Sequence, residues 1–425
     1  MSERVREIQL PASKSISNRL LLLSALHPGK LDITNLSQAE DTLRLKEALE
    51  GKESPIYIGE GGTSLRFATT YYASRSKTTE IYGSDRLMRR PHETLFEVLR
   101  SLGAEITSLE NAHGMGYKVK GNNLSDENPG PTMLHVGVDK SSQFVTALLL
   151  LGSSIKGGID LRFNQNKLVS KPYVKMTIHL MRQMGLSLEE NGDQITVPHQ
   201  ALVSQSKEVE YDWSSAYAFL GAGILTGEHI LLKGLQSEDI QGDRKLLEIY
   251  TQFGASMKFT KDGVLSNRYD VVAPRRIDID MVDYPDQIMN IVVLLSALKC
   301  HGSIRGIETL YAKESNRVEA LKKNLALFDV AIQADDSTLS FEAKNFKIPT
   351  QVKINTYNDH RVAMAFAQLF SYTPMTFEQS SCVKKSFPDF WNQWFAAFPS
   401  ASFELKYESI IPVAIAAFSD SALDS

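Results

Sequence analysis

Six stretches of the chain open on a short polar turn and then run apolar almost without interruption. They are "SKSISNRLLLLSAL" from Ser13, "GGTSLRFATTYYAS" from Gly61, "KSSQFVTALLLLGSS" from Lys140, "DWSSAYAFLGAGIL" from Asp212, "YPDQIMNIVVLLSAL" from Tyr284 and "NDHRVAMAFAQLF" from Asn358. Anchored on Ser15, Ser64, Ser142, Ser215, Asp286 and Asp359, the intervals are 49, 78, 73, 71 and 73 residues. A helix apolar around most of its circumference is enclosed on all sides, so these six are predicted to lie inside the molecule.

A second pattern alternates with the first: an amphipathic helix that stops at a turn and leads into a hairpin. "HETLFEVLRSLGAEITSLE" puts Leu95, Leu99 and Leu102 on one face and stops at Gly103. "MTIHLMRQMGLSLEENGDQITV" stops at Gly185, with Asn191-Gly192 as its hairpin turn, and "KLLEIYTQFGASMKFTKDGVLS" stops at Gly254, with Asp262-Gly263. "RVEALKKNLALFDVAIQADDSTLSF" carries Val318, Leu321, Leu325 and Phe328 on one face and turns at Asp335-Asp336. The repeat therefore reads as strand, buried helix, strand, surface helix and two strands, about 70 residues in all. One such unit cannot enclose its own helix, so several must pack together. Six units predict two halves of three, with the buried helices parallel in each half. Their N-termini, rich in free N–H groups and partial positive charge, then converge on one face. Lys14, Ser15, Arg19, Gly62, Thr63, Arg66, Ser141, Ser142, Gln143 and Arg361 stand at these ends, a pattern suited to a multiply anionic ligand.

Bulk properties narrow the picture. At 425 residues two domains are expected, and the net charge of −4 argues against a general nucleic-acid or membrane-surface binder. No apolar run approaches the length of a membrane span, and the first residues lack the apolar stretch of a signal peptide. The two cysteines, Cys300 and Cys382, have no metal-like spacing, which suits a reducing cytoplasm.

The motifs "LPASKSISNR", "GGTSLR", "GSDRLMRRP", "SSQFVTALLL", "SKPYV", "DWSSA", "PDQIMN", "AKESNRVEAL", "NDHRVAMA" and "KKSFPDF" occur in this order between about residues 9 and 395. In this they resemble the 5-enolpyruvylshikimate-3-phosphate (EPSP) synthase family of enolpyruvyl transferases. The resemblance implies an α/β fold, an inside-out barrel of two domains, each with three βαβαββ units. It implies a first, discontinuous domain of residues 1–13 plus 211–425, a second of residues 14–210, and an active site in the cleft between them. Residues 396–425 extend past the usual family end and receive no role. The implied reaction moves the enolpyruvyl group of phosphoenolpyruvate to the 5-hydroxyl of shikimate 3-phosphate and releases phosphate. It needs neither metal nor organic cofactor, and the family is usually monomeric.

Carried over position by position, the resemblance assigns Lys14, Ser15, Arg19, Ser141, Ser142, Gln143, Ser170, Tyr173, Asp286 and Lys313 to shikimate 3-phosphate. It assigns Lys14, Gly62, Arg86, Gln143, Arg317, Arg361 and Lys385 to phosphoenolpyruvate. Asp286 is the implied base at the 5-hydroxyl, Glu314 the proton donor and acceptor at C3, and Lys14 the proton-transfer aid at the leaving phosphate. Arginine forks fit carboxylate and phosphate, and lysine adds a compact charge, so the residue types match four anionic groups gathered in one place. Each position also has a plain structural reading: Ser141-Ser142 as an N-cap, Asp286 as a first-turn carboxylate, Glu314 as a surface residue, His360 as a structural histidine, and Arg86, Arg89 and Arg90 as a solvated loop.

The chain departs from the family pattern at Glu60, where asparagine is usual, at Phe67 (proline), at Asn316 (aspartate) and at Lys167 (glutamate). A carboxylate at Glu60 would repel phosphoenolpyruvate unless it points away or pairs with a cation. Three rival readings follow: a sister transferase acting on a UDP-linked amino sugar, a non-catalytic anion-binding homologue, and a related architecture that handles RNA ends. The first usually has a reactive cysteine in the loop occupied here by "GSDRLMRRP", which contains none. The third fits poorly with an acidic chain that has no nucleotide signature.

Overall fold

The computed structural model describes residues 5–51, 55–122, 130–139, 141–268, 274–401 and 403–406. All six polar-then-apolar stretches form helices: Lys14–Leu26, Gly62–Ala73, Gln143–Gly152, Trp213–Thr226, Ile288–Ala297 and His360–Ala367. Their apolar residues are sealed from water almost throughout, as in Leu148–Leu151 and Ile291–Leu295. They group into two triads whose members touch one another, the first three and the last three.

Two separate apolar cores surround the triads. One contains residues from Ala12 to Val209; the other contains Ile8, Leu10 and residues from Trp213 to Phe398. The chain passes between them twice, on neighbouring segments. Ser13 N–H donates to the Glu210 carbonyl at 2.8 Å, Asp212 N–H donates to the Pro11 carbonyl at 2.8 Å, and Ala12 and Tyr211 form an antiparallel bridge.

Four sheets repeat one topology. In the first, strands Val5–Gln9 and His229–Lys233 run parallel, and the Ala255–Thr260/Gly263–Arg268 hairpin adds antiparallel through its second strand. The same order recurs in the sheets built from Ile56–Tyr57, Thr132–His135 and Arg276–Asp280. Among the described residues the expected unit is therefore complete four times, not six. Strands Leu31–Thr34 and Gln205–Glu208 make a two-stranded parallel sheet, and Val352–Asn355, Met375–Glu378 and Phe403–Leu405 make a three-stranded parallel one. Among the described residues these two units have no hairpin: the Glu40–Glu50 helix is followed by the Ile56–Tyr57 strand of the next sheet, and the Phe390–Ala397 helix by the single edge strand Phe403–Leu405. The segment after residue 395 thus contributes an edge strand. Phe403 sits 5.0 Å from Phe377 and 5.7 Å from Trp391 between ring centroids. Residues 407–425 lie outside the described residues.

The amphipathic helices stop where glycine periodicity predicts. Gly103, Gly185 and Gly254 all have φ between +78° and +100°, the left-handed geometry that closes a helix end without a Cβ clash. Asp329, at φ +62°, does the same after the Arg317–Ala326 helix. The Asp262-Gly263 turn falls one residue earlier than expected, because Gly263 already begins the return strand.

Candidate active site

Five of the six buried-helix starts line one cavity. Lys14, Ser15 and Arg19 come from the first, Gly62 and Thr63 from the second, Ser142 and Gln143 from the third, Asp286 from the 3-10 turn before Ile288, and His360 and Arg361 from the last. The start of the Trp213–Thr226 helix stays behind this wall and supports it. There the Ser214 carbonyl and hydroxyl both accept from the Arg361 guanidinium at 2.9 Å. Ser141, Ser170, Tyr173, Lys313, Glu314 and Arg317 add further polar groups to the lining. The lining draws on both cores.

Arg19 is 3% exposed, and burial lowers its affinity for a proton to a pKa of about 10. Its hydrogen bonds go to the Thr177 hydroxyl at 2.8 Å and to the carbonyls of Ser15 at 2.7 Å and Tyr173 at 3.3 Å. Among the described residues no carboxylate pairs with it, so a buried guanidinium faces the cavity with its charge uncompensated. Burial and then the charges of Asp243 and Asp286 push the Tyr173 phenol well up, which keeps it a neutral hydroxyl. Ser170, at φ +54°, holds a left-handed conformation costly for a residue with a Cβ, and its N–H donates at 3.1 Å to the carbonyl of Val282, which comes from the other half of the chain.

The opposite wall is an ion-pair lattice centred on Arg317, which is 1% exposed. Its guanidinium reaches Asp286 at 2.7 Å, Glu314 at 2.8 Å and Asp359 at 2.9 Å. Lys313 pairs with Asp286 at 3.1 Å, and Arg90 lies 3.7 Å from Glu314. Burial by itself would raise both Asp286 and Glu314. Lys313 and Arg317 outweigh it at Asp286, and Arg317 and Arg90 outweigh it at Glu314, so both carboxyls fall below the usual range and are ionised. His360 is driven the other way, by burial and then by Lys14 and Arg361; it is neutral, and its Nδ1 has no hydrogen-bond partner among the described residues.

Of the predicted site residues, Lys14, Ser15, Arg19, Gly62, Ser141, Ser142, Gln143, Ser170, Tyr173, Asp286, Lys313, Glu314, Arg317 and Arg361 line the cavity. Arg86 and Lys385 do not. Arg86 faces outward from the Asp85–Met88 turn and donates to the Lys313 carbonyl at 3.0 Å. Arg90 stands in its place, its guanidinium lying over Gly62, where an added Cβ would meet Nη1 at 2.8 Å. Lys385 pairs with Glu60 and donates to the Asn358 carbonyl. Arg66, expected at a helix start, turns away from the cavity: it holds the Gln143 side chain and the Pro91 carbonyl. Asp41, which the sequence did not single out, also lines the cavity and pairs with Lys14 at 3.0 Å. The residues around Asp41 read as an ordinary amphipathic helix, so only the fold reveals it.

The departures from the family pattern are absorbed locally. Phe67 is fully buried in the core, Lys167 is exposed, and Asn316 caps the next helix by accepting from the Glu319 N–H at 3.2 Å. Asparagine caps about as well as aspartate.

The family model for EPSP synthase (3-phosphoshikimate 1-carboxyvinyltransferase) matches residues 2–51 and 44–394. The chain belongs to the EPSP synthase family. It is 34% identical over 389 residues to the 3-phosphoshikimate 1-carboxyvinyltransferase of Bacteroides fragilis (strain YCH46), covering 91% of this chain and 93% of that one. It is 31% identical over 420 residues to that of Marinomonas sp. (strain MWYL1), covering 92% and 96%. Among solved structures, an EPSP synthase from Acinetobacter baumannii aligns with a TM-score of 0.71 at 19% identity, over 94% of this chain and 96% of that one. The enolpyruvyl transferase NikO from Streptomyces tendae aligns at 0.70 and 14%, over 92% and 95%. At those identities the two structures speak to the fold alone, a mixed α/β architecture of repeated small sheets and helices. Across the EPSP synthase family model the match spans both apolar cores and every element that lines the cavity.

Proposed function

We propose that the cavity binds shikimate 3-phosphate and phosphoenolpyruvate together and transfers the enolpyruvyl group between them, as membership of the EPSP synthase family implies. The observation that carries this is one cavity holding an unpaired buried arginine on one wall and two ionised carboxylates bound to cations on the other. The two cores are read as two domains, residues 1–13 plus 211–425 and residues 14–210, each an inside-out barrel, with substrates in the cleft. A cytoplasmic monomer is the accompanying reading; the two buried free cysteines agree with a reducing compartment. Among the described residues, no helix is long and apolar enough to cross a membrane.

In this reading Ser141, Ser142 and Ser170 take the phosphate of shikimate 3-phosphate. Arg19, Ser15 and Tyr173 take its carboxylate and ring, and Lys313 reaches its hydroxyls. Phosphoenolpyruvate meets Lys14, Gly62, Gln143, Arg90, Arg317 and Arg361. Asp286 accepts the 5-hydroxyl proton as that oxygen attacks C2, and C3 gains a proton from Glu314. The tetrahedral adduct then returns the C3 proton to Glu314 and expels phosphate, with Lys14 assisting the leaving oxygen.

A carboxylate held ionised by Arg317 and Arg90 is a poor proton donor until those cations are diverted. Anionic phosphoenolpyruvate competes for the same guanidinium groups, and as it engages them the proton affinity of Glu314 rises toward that of a usable acid. The substrate thereby arms its own donor. The neutral His360 beside this pair adds no competing positive charge.

The reading is tested by mixing the protein with both substrates and following phosphate release. No release, with both ligands bound, would favour a non-catalytic homologue. Glu60 was the residue that raised that alternative, and its pairing with Lys385 outside the cavity lining supports the enzyme instead. The absence of cysteine from the lining likewise argues against the UDP-amino-sugar reading.

A further inference from the structure

Glu60 lies in the glycine-rich turn that leads into the Gly62–Ala73 helix, packed with the first core. Its two carboxylate oxygens engage two groups from the opposite core. Oε1 accepts from the Asn358 side-chain amide at 3.0 Å, and Oε2 pairs with the Lys385 ammonium. Lys385 is drawn in further by the Asn358 carbonyl, and its side chain is 9% exposed against 30% for Glu60. Tyr357 and Asn358 both hold left-handed backbone conformations, at φ +53° and +54°, which present the Asn358 amide and carbonyl to the same two partners. Burial lowers the proton affinity of Lys385, but the Glu60 charge and hydrogen bond outweigh burial and raise that affinity above the usual value, so the pair stays ionic. Within the cavity itself Arg90 and Glu314 also face each other from the two cores, at the longer distance of 3.7 Å. The neighbouring bridge, Arg86 to the Lys313 carbonyl, is exposed and involves a neutral acceptor.

We propose that Glu60 is a positioning residue for the reaction: it latches the two halves together and withdraws Lys385 from the substrate cavity. Opposed walls rich in cations repel as they approach, and a carboxylate placed between them offsets that repulsion without substrate. Phosphoenolpyruvate is then gripped by Arg90, Arg317 and Arg361 in a cleft whose closure Glu60 has already favoured. This rests on the function proposed above for its kinetic consequence only; the latch itself is a property of the folded chain.

The test compares the full-length parent with Glu60→Gln, Lys385→Gln and the double variant, by solution scattering of the free proteins and by steady-state kinetics. Glu60→Gln keeps an acceptor for Asn358 but removes the charge. The expected results are a larger radius of gyration for Glu60→Gln than for the parent and a KM for phosphoenolpyruvate raised about three- to tenfold, as follows when the binding-competent closed fraction falls by that factor. Lys385→Gln should have a similar effect, and the double variant should be no worse than either single one. Additive effects would mean that Lys385 acts on substrate independently of Glu60, which overturns the proposal. Unchanged scattering in Glu60→Gln overturns it too. A parent that releases no phosphate would instead count against the function, while the scattering comparison would still decide the latch.

Discussion

Arg86 and Arg90 are four residues apart and chemically identical, yet only one reaches the cavity. Arg86 sits on a single helical turn and leans outward; Arg90 follows that turn and folds back over Gly62. Gly62 is what makes this possible, because any side chain there would occupy the guanidinium's position. Arg90→Met should therefore lower kcat/KM for phosphoenolpyruvate by about 10- to 100-fold, the loss of a charge-assisted hydrogen bond of about 1.5–3 kcal/mol. Arg86→Met should change it by less than about threefold, as is usual for an exposed contact. Equal effects would return Arg86 to the site. At Glu314, replacement by Gln should slow turnover by at least about 100-fold, the ordinary scale of general acid–base catalysis. Calorimetry should still detect shikimate 3-phosphate binding; near-normal turnover would remove the proton-transfer role. Most of this site could be read from the chain because helix starts are local: a polar turn before an apolar run places its residues at a predictable end. Arg86 and Lys385 fall outside the cavity lining for the opposite reason. Their side chains are long, and their direction is set by partners remote in sequence.

The buried helices show the same division one level up. Their existence follows from composition, but their mutual approach depends on particular polar contacts that periodicity does not reveal. Gln368 is buried where the second triad meets, donating to the Asn290 side chain at 3.2 Å and to the Ala365 carbonyl at 2.9 Å. It fits because Gly221 on the neighbouring helix has no Cβ; one placed there would lie 1.6 Å from the Gln368 Oε1. Gly221→Ala should destabilise the protein by about 1–3 kcal/mol, the cost of overpacking a close-packed interior, despite the better helix propensity of alanine. Denaturant unfolding would check this, and a neutral result would show that Gln368 can move aside. The missing hairpins of the first and last units also belong to this scale. Local sequence predicted a repeat, but in these two sheets a strand remote in sequence or a single late strand pairs instead, Gln205–Glu208 beside Leu31–Thr34 and Phe403–Leu405 beside Met375–Glu378.

For the molecule as a whole, the two crossing segments are where the chain passes between the cores, and Glu210 lies on one of them. Its carboxylate accepts from the Ile240 N–H at 2.9 Å, while its carbonyl accepts from Ser13. Burial and then the nearby Asp239 raise its pKa to about 7; Lys207 and the N–H bonds only partly offset this. A raised carboxyl means that the folded protein holds this proton more tightly than the unfolded chain does. Stability from this group is therefore greatest below the ordinary carboxylate range and is lost as pH rises toward 7. Glu210→Gln, which keeps an acceptor without the charge, should be more stable than the parent at pH 8 by about 1–3 kcal/mol after discounting for partial exposure. The difference should vanish only below about pH 4, under the unfolded carboxyl's own range. Thermal unfolding at the two pH values would check this, and an equal offset at both would refute the linkage.

What the chain determined by itself was everything carried by short-range pattern: six enclosed helices, the glycine stops after the amphipathic ones, and the cations and hydroxyls at the helix starts. These follow from hydrophobic periodicity and capping, which act over a few residues. Only the tertiary structure decided which arginine faces the cavity, that Asp41 and Arg90 belong to it, and that Glu60 holds Lys385 across the cleft. Such choices depend on groups tens to hundreds of residues apart meeting within about 3 Å, a distance that hydrogen bonding enforces only once the tertiary structure has formed.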